Sequence, residues 1–196
     1  ENYSMPPMPD GVEDGIVKGL YRFREAPAGA HAHRAQILAS GTGMLAALDA
    51  QRILADEWDV GADVWSATSW KMLREDALSV ERWNRLHPAE PARTPYVTEM
   101  LRDVEGPLVA VSDFMKAMPD GVGRFVPKPF TVLGTDGYGF SDTRTALRRH
   151  FEVDAPNIVV ATLQGLAQTD ALKDEIVHEA IVRFDIDPDK PDPRTV

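Results

Sequence analysis

The chain is predicted to be an α/β protein, a three-layer α/β/α sandwich built around a mostly parallel sheet. Two observations support this fold class. Short β-branched or apolar runs alternate along the 196 residues with segments of helical periodicity, and each run follows turn residues. The length also suits one α/β domain with a substantial core, and it is too short for two domains of ordinary size.

The first half of the chain predicts three strands. Residues 19–25 alternate apolar and basic side chains, which is typical of an edge strand with one wet face. Residues 35–39 form a second strand that leads through Gly41-Thr-Gly43 into a helix ending near Trp58. Residues 63–66 form a short third strand.

The middle of the chain predicts two further strands. Ser69 is placed to cap a helix, and the polar, proline-punctuated residues 75–95 are predicted to be irregular. Residues 108–112 are apolar up to a final serine, which indicates a central strand buried on both faces. Residues 130–133 form the fifth strand and end in a loop with three glycines, residues 134–142.

Three helices are predicted after that loop. Ser141 or Asp142 caps the first, and Asp154 with a following proline opens the second. Residues 172–184 give a last amphipathic helix. The final residues 185–196 have no core-forming pattern.

Composition narrows the classes of function. The chain lacks cysteine, which excludes a disulfide framework, a thiolate zinc site and a cysteine nucleophile. A formal net charge of −10 opposes binding to nucleic acid or to an anionic membrane surface. No apolar run is long enough to span a bilayer, and no signal peptide pattern opens the chain. We expect a cytoplasmic protein, and the loose start without methionine predicts a piece of a longer one.

The loop Gly41-Thr-Gly43 lies between a strand and a helix, as in a dinucleotide-binding fingerprint. The third position of that template is Ala46, a weak match. Asp63 is predicted to open its strand, so no acidic residue closes a strand where the ribose would bind. A tight structural turn is therefore favoured over a nucleotide site.

The histidines give weak signals for chemistry. His31 and His33 are two residues apart and would share one face of a strand, but no third metal ligand follows at a recognisable spacing. His87 is the better candidate for a working imidazole because aromatic, basic and amide side chains surround it in the sequence. An interface or packing role is still favoured for His87.

The densest group of polar and aromatic residues is the loop after the fifth strand, where α/β sheets usually place their sites. It comprises Asp136, Tyr138, Phe140, Ser141, Asp142 and Arg144. Because it contains no histidine or lysine to act as an acid or base, its exposed aromatics suit docking against another surface at least as well as catalysis.

Several segments together resemble a known family. They are Glu1-Asn-Tyr, Glu81-Arg-Trp-Asn84, Leu86-His-Pro88, Gly134-Thr-Asp-Gly-Tyr-Gly-Phe-Ser-Asp142, His150-Phe-Glu-Val-Asp154 and Ile186-Asp-Pro-Asp-Lys190. In this order and spacing they resemble the C-terminal region of the homodimeric bacterial pyruvate dehydrogenases, the decarboxylating first component of the complex. Related transketolases carry a loop similar to residues 134–141. The resemblance covers nearly the whole chain.

The resemblance implies a large parent enzyme that binds thiamine diphosphate and magnesium between its N-terminal and middle domains. Such an enzyme decarboxylates pyruvate and reductively acetylates the lipoyl group of the dihydrolipoyl acyltransferase component. Residues 1–12 would be a linker from the middle domain, 13–184 a transketolase C-terminal-like domain and 185–196 a tail. The motifs of the cofactor chemistry are absent from the sequence, so no catalytic, cofactor-binding or metal residue is assigned.

The family's C-terminal domain has a five-stranded mixed sheet with one antiparallel edge strand. The resemblance implies a structural role for this domain, completing the homodimer and supporting the middle domain. Candidate contacts are Asp136, Tyr138, Phe140, Arg144 and residues 81–87, with Trp83 and His87 foremost. Two alternatives remain open: a regulatory ligand-binding module, and a stand-alone enzyme that uses His87.

Overall fold

A five-stranded mixed sheet covered by helices on both faces forms the domain in the computed structural model, which describes residues 3–195. Glu1, Asn2 and Val196, which belong to the predicted linker and tail, lie outside the described residues. The strands are β1 (Tyr21–Arg24), β2 (His33–Ala39), β3 (Val60–Ser66), β4 (Leu108–Val111) and β5 (Phe130–Leu133). The helices are α1 (Glu13–Lys18), α2 (Gly43–Trp58), α3 (Trp70–Leu86), α4 (Tyr96–Leu101), α5 (Ala117–Asp120), α6 (Arg144–His150), α7 (Ala155–Ala167) and α8 (Asp174–Arg183).

The strand order is β1-β3-β2-β4-β5. Strands β2 to β5 are parallel, and β1 pairs antiparallel with β3, with Tyr21 opposite Ser66. The predicted fold class and the predicted antiparallel edge strand are therefore confirmed. The middle position belongs to β2, and β4 is interior between β2 and β5.

Two apolar cores hold the three layers together. Alternate residues of β2 face opposite sides of the sheet, so Ile37 packs under α2 and α7 while Leu38 packs under α3 and α4. In β4, Val109 and Ala110 divide between the two cores in the same way. Burial on both faces explains why β4 is apolar throughout and why β2 ends in the apolar residues 37–39.

The prediction that residues 75–95 are irregular was wrong over its first half, because α3 continues to Leu86. Ser69 caps this helix as predicted, since its hydroxyl accepts a hydrogen bond from the backbone N–H of Met72 at 3.1 Å. Leu73 and Ala77 are buried one turn apart, whereas Arg74 and Glu75 between them are exposed. The segment is thus an amphipathic helix, and its apolar stripe is too short to stand out in a mostly polar sequence.

Three other local predictions need correction. The third strand begins at Val60, so Asp63 lies in its middle and does not open it. Helix α6 is capped by Thr143, whose hydroxyl accepts from the N–H of Ala146, and neither Ser141 nor Asp142 is the cap. The tail contributes to packing through a 3-10 turn at residues 193–195, where Pro193 is buried. Asp154, in contrast, caps α7 as predicted.

The side chain of Asp63 is buried at the edge of the sheet and ties three segments together. Its carboxylate accepts hydrogen bonds from the backbone N–H of Ala26 at 2.8 Å and from Arg34 Nη2 at 2.9 Å. Arg22 Nη1 of the edge strand lies 3.5 Å from its other oxygen. This acid therefore fixes β1 and the following loop to β3, and it has a structural role.

Candidate functional site

The candidate site lies at the edge of the sheet where the parallel strands end. From β2 the chain crosses to β3 on one side and later to β4 on the other, so the direction of strand order reverses between β2 and β4. In open α/β sheets, a reversal of this kind leaves a crevice beyond the strand ends in which ligands commonly bind.

That crevice contains a cavity of about 420 Å³, here named the switch-point cavity. Its apolar wall is formed by Ala46, Leu147, Phe151 and Val153, and its polar rim by Thr42, Ser112, Asp113, Thr135, Arg144 and Arg148. The glycines at 43, 137 and 139 complete the lining. The volume falls within the range of about 300–1,000 Å³ that is usual for small-molecule pockets.

The loop Gly41-Thr-Gly43 forms a tight turn on the wall of this crevice. The N–H of Gly43 donates to the carbonyl of Ser40 at 3.1 Å, and Gly41 has a φ of +55°. This geometry agrees with the structural interpretation of the turn. Because Asp63 is held by arginines in the middle of β3, it is not available as the ribose-binding acid of a dinucleotide site.

The glycine-rich loop after β5 contacts two other segments, the residues that follow β4 and the C-terminal tail. Asp136 accepts a hydrogen bond from the backbone N–H of Lys116 at 2.8 Å, and the Thr135 hydroxyl donates to the carbonyl of Asp113 at 2.7 Å. Gly137 has a φ of +101°, and a Cβ at that position would lie 2.1 Å from the carbonyl oxygen of Pro193. The C-terminal tail therefore lies directly against the loop.

Charged groups hold the tail in this position. Arg194 pairs with Asp192, and the hydrogen bond between their side chains lowers the pKa of Asp192 to about 2. Lys190 Nζ donates to the carbonyl of Arg149 at 3.2 Å, while Arg149 donates to the carbonyl of Asp185 at 2.7 Å. The contacts of Lys190 and Arg149 join the end of α6 to the tail that follows α8, so the tail is packed against the domain.

The close approach of loop and tail leads to a test with a matched control. Gly137→Ala is expected to displace the tail, because the new Cβ would clash with the Pro193 carbonyl and the residue would remain at positive φ. Gly139→Ala is expected to be silent, since no atom lies within 4 Å of a Cβ there. Limited proteolysis at the tail measures the difference, and equal cleavage rates would show that the loop does not hold it.

The aromatic side chains of this loop are exposed. Tyr138 is 81% exposed and Phe140 is 48% exposed. Phe140 packs its edge against His150, with ring centroids 4.7 Å apart, whereas no described ring lies against Tyr138. Tyr138 therefore points into solvent, whereas Phe140 is held in part by its contact with His150.

Other apolar side chains extend this exposed surface along the same edge of the sheet. Of the eleven large apolar residues that are exposed in the described part of the chain, seven lie here: Met5, Met8, Phe114, Met115, Met118, Tyr138 and Phe140. Met5, Met8, Phe114 and Met118 line a groove of about 710 Å³ beside the ends of β2 and β3. We name the seven residues the carboxyl-edge surface.

The N-terminal arm, residues 3–10, crosses this edge, and its Tyr3 contacts Arg144, another of the predicted contact residues. Arg144 and Arg148 both lie over the ring of Tyr3, at 4.8 and 5.1 Å from its centroid. Arg148 Nη2 also donates to the Tyr3 hydroxyl at 2.6 Å. Asp136, Tyr138, Phe140 and Arg144 are thus brought together around the arm and the loop.

Trp83 and His87 lie apart from that group. Both lie at the C-terminal end of α3, and among the described residues none of their hydrogen bonds or ring contacts reaches the loop or the N-terminal arm. The rings of Trp83 and His87 stack with centroids 4.5 Å apart, and the guanidinium of Arg93 lies 3.7 Å from the centroid of the Trp83 ring. The predicted contacts therefore fall on two separate surfaces.

The two histidines singled out in the sequence lie in different segments. His33 begins β2, while His31 lies in the preceding loop with its Nε2 3.2 Å from the carbonyl oxygen of Pro27. Among residues 3–195, no group of three or more histidines and acids is arranged to hold a metal ion. None of the described helices has the length and apolar character needed to cross a membrane.

Some members of the candidate site escaped sequence reasoning. Phe114, Met115 and Met118 follow β4 in a segment with no regular pattern, and Tyr3 lies in the loose N-terminal stretch. A run of apolar side chains just after a strand end was the available signal for the first three. Nothing local links Tyr3 to Arg148, because 145 residues separate them.

The fold agrees with the comparisons to known proteins. Residues 19–154 match the family model described as the transketolase-like TK C-terminal domain. The chain belongs to the transketolase-like C-terminal domain family.

Relatives named "Pyruvate dehydrogenase E1 component" extend the similarity over nearly the whole chain. The chain is 47% identical to the one from Mycolicibacterium smegmatis over 188 residues, covering 95% of this chain and 20% of that relative. It is 45% identical to the one from Pseudomonas aeruginosa over 194 residues, covering 98% of this chain and 22% of that relative. The resemblance predicted from sequence is confirmed, and the chain spans about a fifth of the length of the curated relatives it matches.

Solved structures support the fold. A mutant transketolase from Pichia stipitis superposes with a TM-score of 0.56 at 17% identity, covering 85% of this chain and 20% of that chain. Transketolase from Leishmania mexicana gives a TM-score of 0.51 at 19% identity, covering 83% of this chain and 20% of that chain. At these identities the similarity concerns the fold alone.

Proposed function

We propose that the chain is the C-terminal domain of a homodimeric pyruvate dehydrogenase E1 component. The parent enzyme would decarboxylate pyruvate on thiamine diphosphate and reductively acetylate the lipoyl group of the dihydrolipoyl acyltransferase component. Relatives of that name at 39–47% identity support the proposal, as does the transketolase-like fold. A cytoplasmic location and residues 1–12 as the linker from a middle domain belong to the same proposal.

Within that enzyme, we assign this domain a structural role. The observation that supports it is the carboxyl-edge surface, which gathers most of the exposed large apolar side chains of residues 3–195 at one edge of the sheet. Exposed apolar residues concentrated in this way are typical of a surface that another domain or subunit covers. Contacts to the middle domain and to the second copy are proposed to form there.

The residues present do not fit the cofactor that the family implies. Thiamine diphosphate is held through a divalent cation, and residues 3–195 contain no cluster of three or more metal-binding side chains. The acids nearest the loop are otherwise engaged, since Asp136 accepts from the N–H of Lys116 and Asp192 pairs with Arg194. We therefore derive no step of the cofactor's chemistry from this domain and place thiamine diphosphate and magnesium elsewhere in the parent enzyme.

A second candidate function is a regulatory ligand-binding module. The switch-point cavity favours it, because its volume and its mixture of an apolar wall with a polar rim are those of a small-molecule site. The stand-alone enzyme that uses His87 receives no comparable support. The imidazole of His87 stacks on Trp83, and its Nδ1 lies 2.8 Å from that residue's carbonyl oxygen, as expected of a helix end.

The interface proposal predicts the effect of removing both loop aromatics. Tyr138→Ser with Phe140→Ala in the parent chain is expected to raise the dimer dissociation constant roughly 100-fold, since a central aromatic contact typically contributes about 2 kcal/mol or more. Analytical ultracentrifugation measures this change, and the far-UV circular dichroism of the 196-residue chain is expected to stay unchanged.

The matched control removes two exposed apolar residues that are not part of the carboxyl-edge surface. Val17→Ser with Val182→Ser changes exposed side chains on α1 and α8 that belong to none of the candidate contacts. The control is expected to leave the dimer intact. Equal dissociation constants for the two double variants would count against the carboxyl-edge surface as the interface.

A further inference from the structure

We infer that the switch-point cavity is a binding site for a small organic anion with a compact apolar body. The anionic group would face Arg144 and Arg148, and the body would lie against Leu147 and Phe151. This inference rests on the second candidate function, for which it specifies the class of ligand. Of the candidate dimer contacts it uses Arg144 but neither Tyr138 nor Phe140, the two residues with which the interface is tested.

The lining divides the cavity into two chemically different parts. Ala46, Leu147, Phe151 and Val153 form one continuous apolar wall from helix α2, helix α6 and the segment before α7. Arg144 and Arg148 are one helical turn apart on α6, so both guanidinium groups reach the same rim. Paired guanidinium groups above an apolar wall suit a carboxylate or phosphate attached to a nonpolar group.

The donors of Arg148 are only partly used within the protein. One of its five N–H groups bonds to the Tyr3 hydroxyl, and its flat face lies over the Tyr3 ring. No other acceptor for this guanidinium occurs among residues 3–195 in the structure. A charged planar donor at the rim of a cavity with remaining N–H groups can bind an anion without losing its contact to the arm.

A buried hydroxyl pair supplies independent support. Ser40 Oγ and Ser112 Oγ are 2.8 Å apart, and both residues are almost fully buried. Trp70 Nε1 donates to Ser40 Oγ at 3.2 Å, and the N–H of Phe114 donates to Ser112 Oγ at 3.0 Å. The hydroxyl of Ser40 donates to Ser112 Oγ, and the hydroxyl proton of Ser112 has no acceptor among the described residues. Because Ser112 lines the cavity, an acceptor atom of a ligand there completes the network.

Asp113 sets the direction in which a ligand would lie. Its carboxylate is on the rim formed by the end of β4, whereas the two arginines are on α6. Repulsion from Asp113 would keep an anionic group away from that rim and direct it to Arg144 and Arg148. The same carboxylate would accept a hydrogen bond from a hydroxyl or amino group on the ligand.

The test uses phenyl phosphate, benzoate and inorganic phosphate as probes of the 196-residue chain, followed by NMR of the backbone amides. We expect phenyl phosphate to shift the amides that line the cavity in a saturable manner, with a Kd on the order of 1 mM for a ligand of this size. Comparison with benzoate distinguishes a phosphate ester from a carboxylate. Inorganic phosphate alone is expected to bind more weakly, because it makes no contact with the apolar wall.

Two variants and one control locate the site. Arg148→Gln is expected to weaken phenyl phosphate binding roughly tenfold by removing a charge-assisted contact. Ala46→Leu is expected to weaken binding because the larger side chain would occupy part of the cavity. Arg82→Gln makes the same charge change on an exposed position of α3 and is expected to have no effect. If phenyl phosphate binding does not saturate, or if Arg148→Gln and Ala46→Leu both bind like the control, the inference is overturned. Dimer dissociation of the parent chain is measured separately, so either proposal can fail alone.

Discussion

Gly106→Ala is expected to destabilise the domain by about 3 kcal/mol or more, because the added methyl group would collide with backbone. Gly106 has a φ of +80°, and a Cβ there would lie 1.7 Å from the carbonyl oxygen of Arg34. The obstacle is the main chain at the start of β2, so no side-chain rotation can relieve it. The pairing of β2 with β4, the two adjacent interior strands, would have to shift. Urea-induced unfolding measures the loss.

A second glycine separates the two causes of that loss. Gly11 also has a positive φ, +73°, but no atom lies within 4 Å of a Cβ at that position. Gly11→Ala is therefore expected to cost only the conformational strain, about 1 kcal/mol. If both alanine variants unfold at the same urea concentration, the close approach of Gly106 to Arg34 is not what stabilises this corner of the sheet.

Asp63→Ala is expected to destabilise the domain by about 2 to 3 kcal/mol. Asp63 is 5% exposed and accepts hydrogen bonds from the N–H of Ala26 and from Arg34. Its removal leaves these donors without their acceptor and breaks the contact between β3 and Arg22 of the edge strand. The expected loss stays below that for a fully buried ion pair because both arginines remain partly accessible to water.

The comparison for Asp63 uses the same substitution on the surface. Asp56 pairs with Arg52 one turn away on α2, at 3.7 Å, and both side chains are exposed. Asp56→Ala is expected to change the free energy of unfolding by less than about 0.5 kcal/mol. Thermal unfolding of both variants measures the contrast. A loss for Asp63→Ala no greater than that for Asp56→Ala would show that the buried network contributes nothing.

The predictions for Gly106 and Asp63 concern the stability of the sheet that positions the candidate site. Gly106 and Asp63 support parts of the sheet that lie away from the glycine-rich loop, while Gly137 supports the loop itself. A loss of dimer contacts after changes at Tyr138 and Phe140 can therefore be distinguished from a loss of fold. Unfolding experiments measure the stability of the fold, whereas the dimer dissociation constant measures the contacts.

The candidate site could be predicted only in part. The loop with Tyr138 and Phe140 was identified because glycines and aromatics directly follow a parallel strand, a pattern confined to nine consecutive residues. The arm and the tail that hold it were not, since their sequences carry no periodic pattern. Trp83 and His87 were grouped with this loop from the resemblance, but in the structure they stack on each other and Trp83 contacts Arg93.

Local sequence patterns were enough to predict the parallel strands, the antiparallel edge, the caps at Ser69 and Asp154 and the family. Each of these follows from residue periodicity, from neighbours a few positions apart, or from motifs that resemble a family. The folded arrangement was needed to show that Asp63 holds the edge strand, that Pro193 lies against Gly137, and which residues line the switch-point cavity. Such contacts join residues tens of positions apart, so they depend on how the finished elements pack, which no local pattern records.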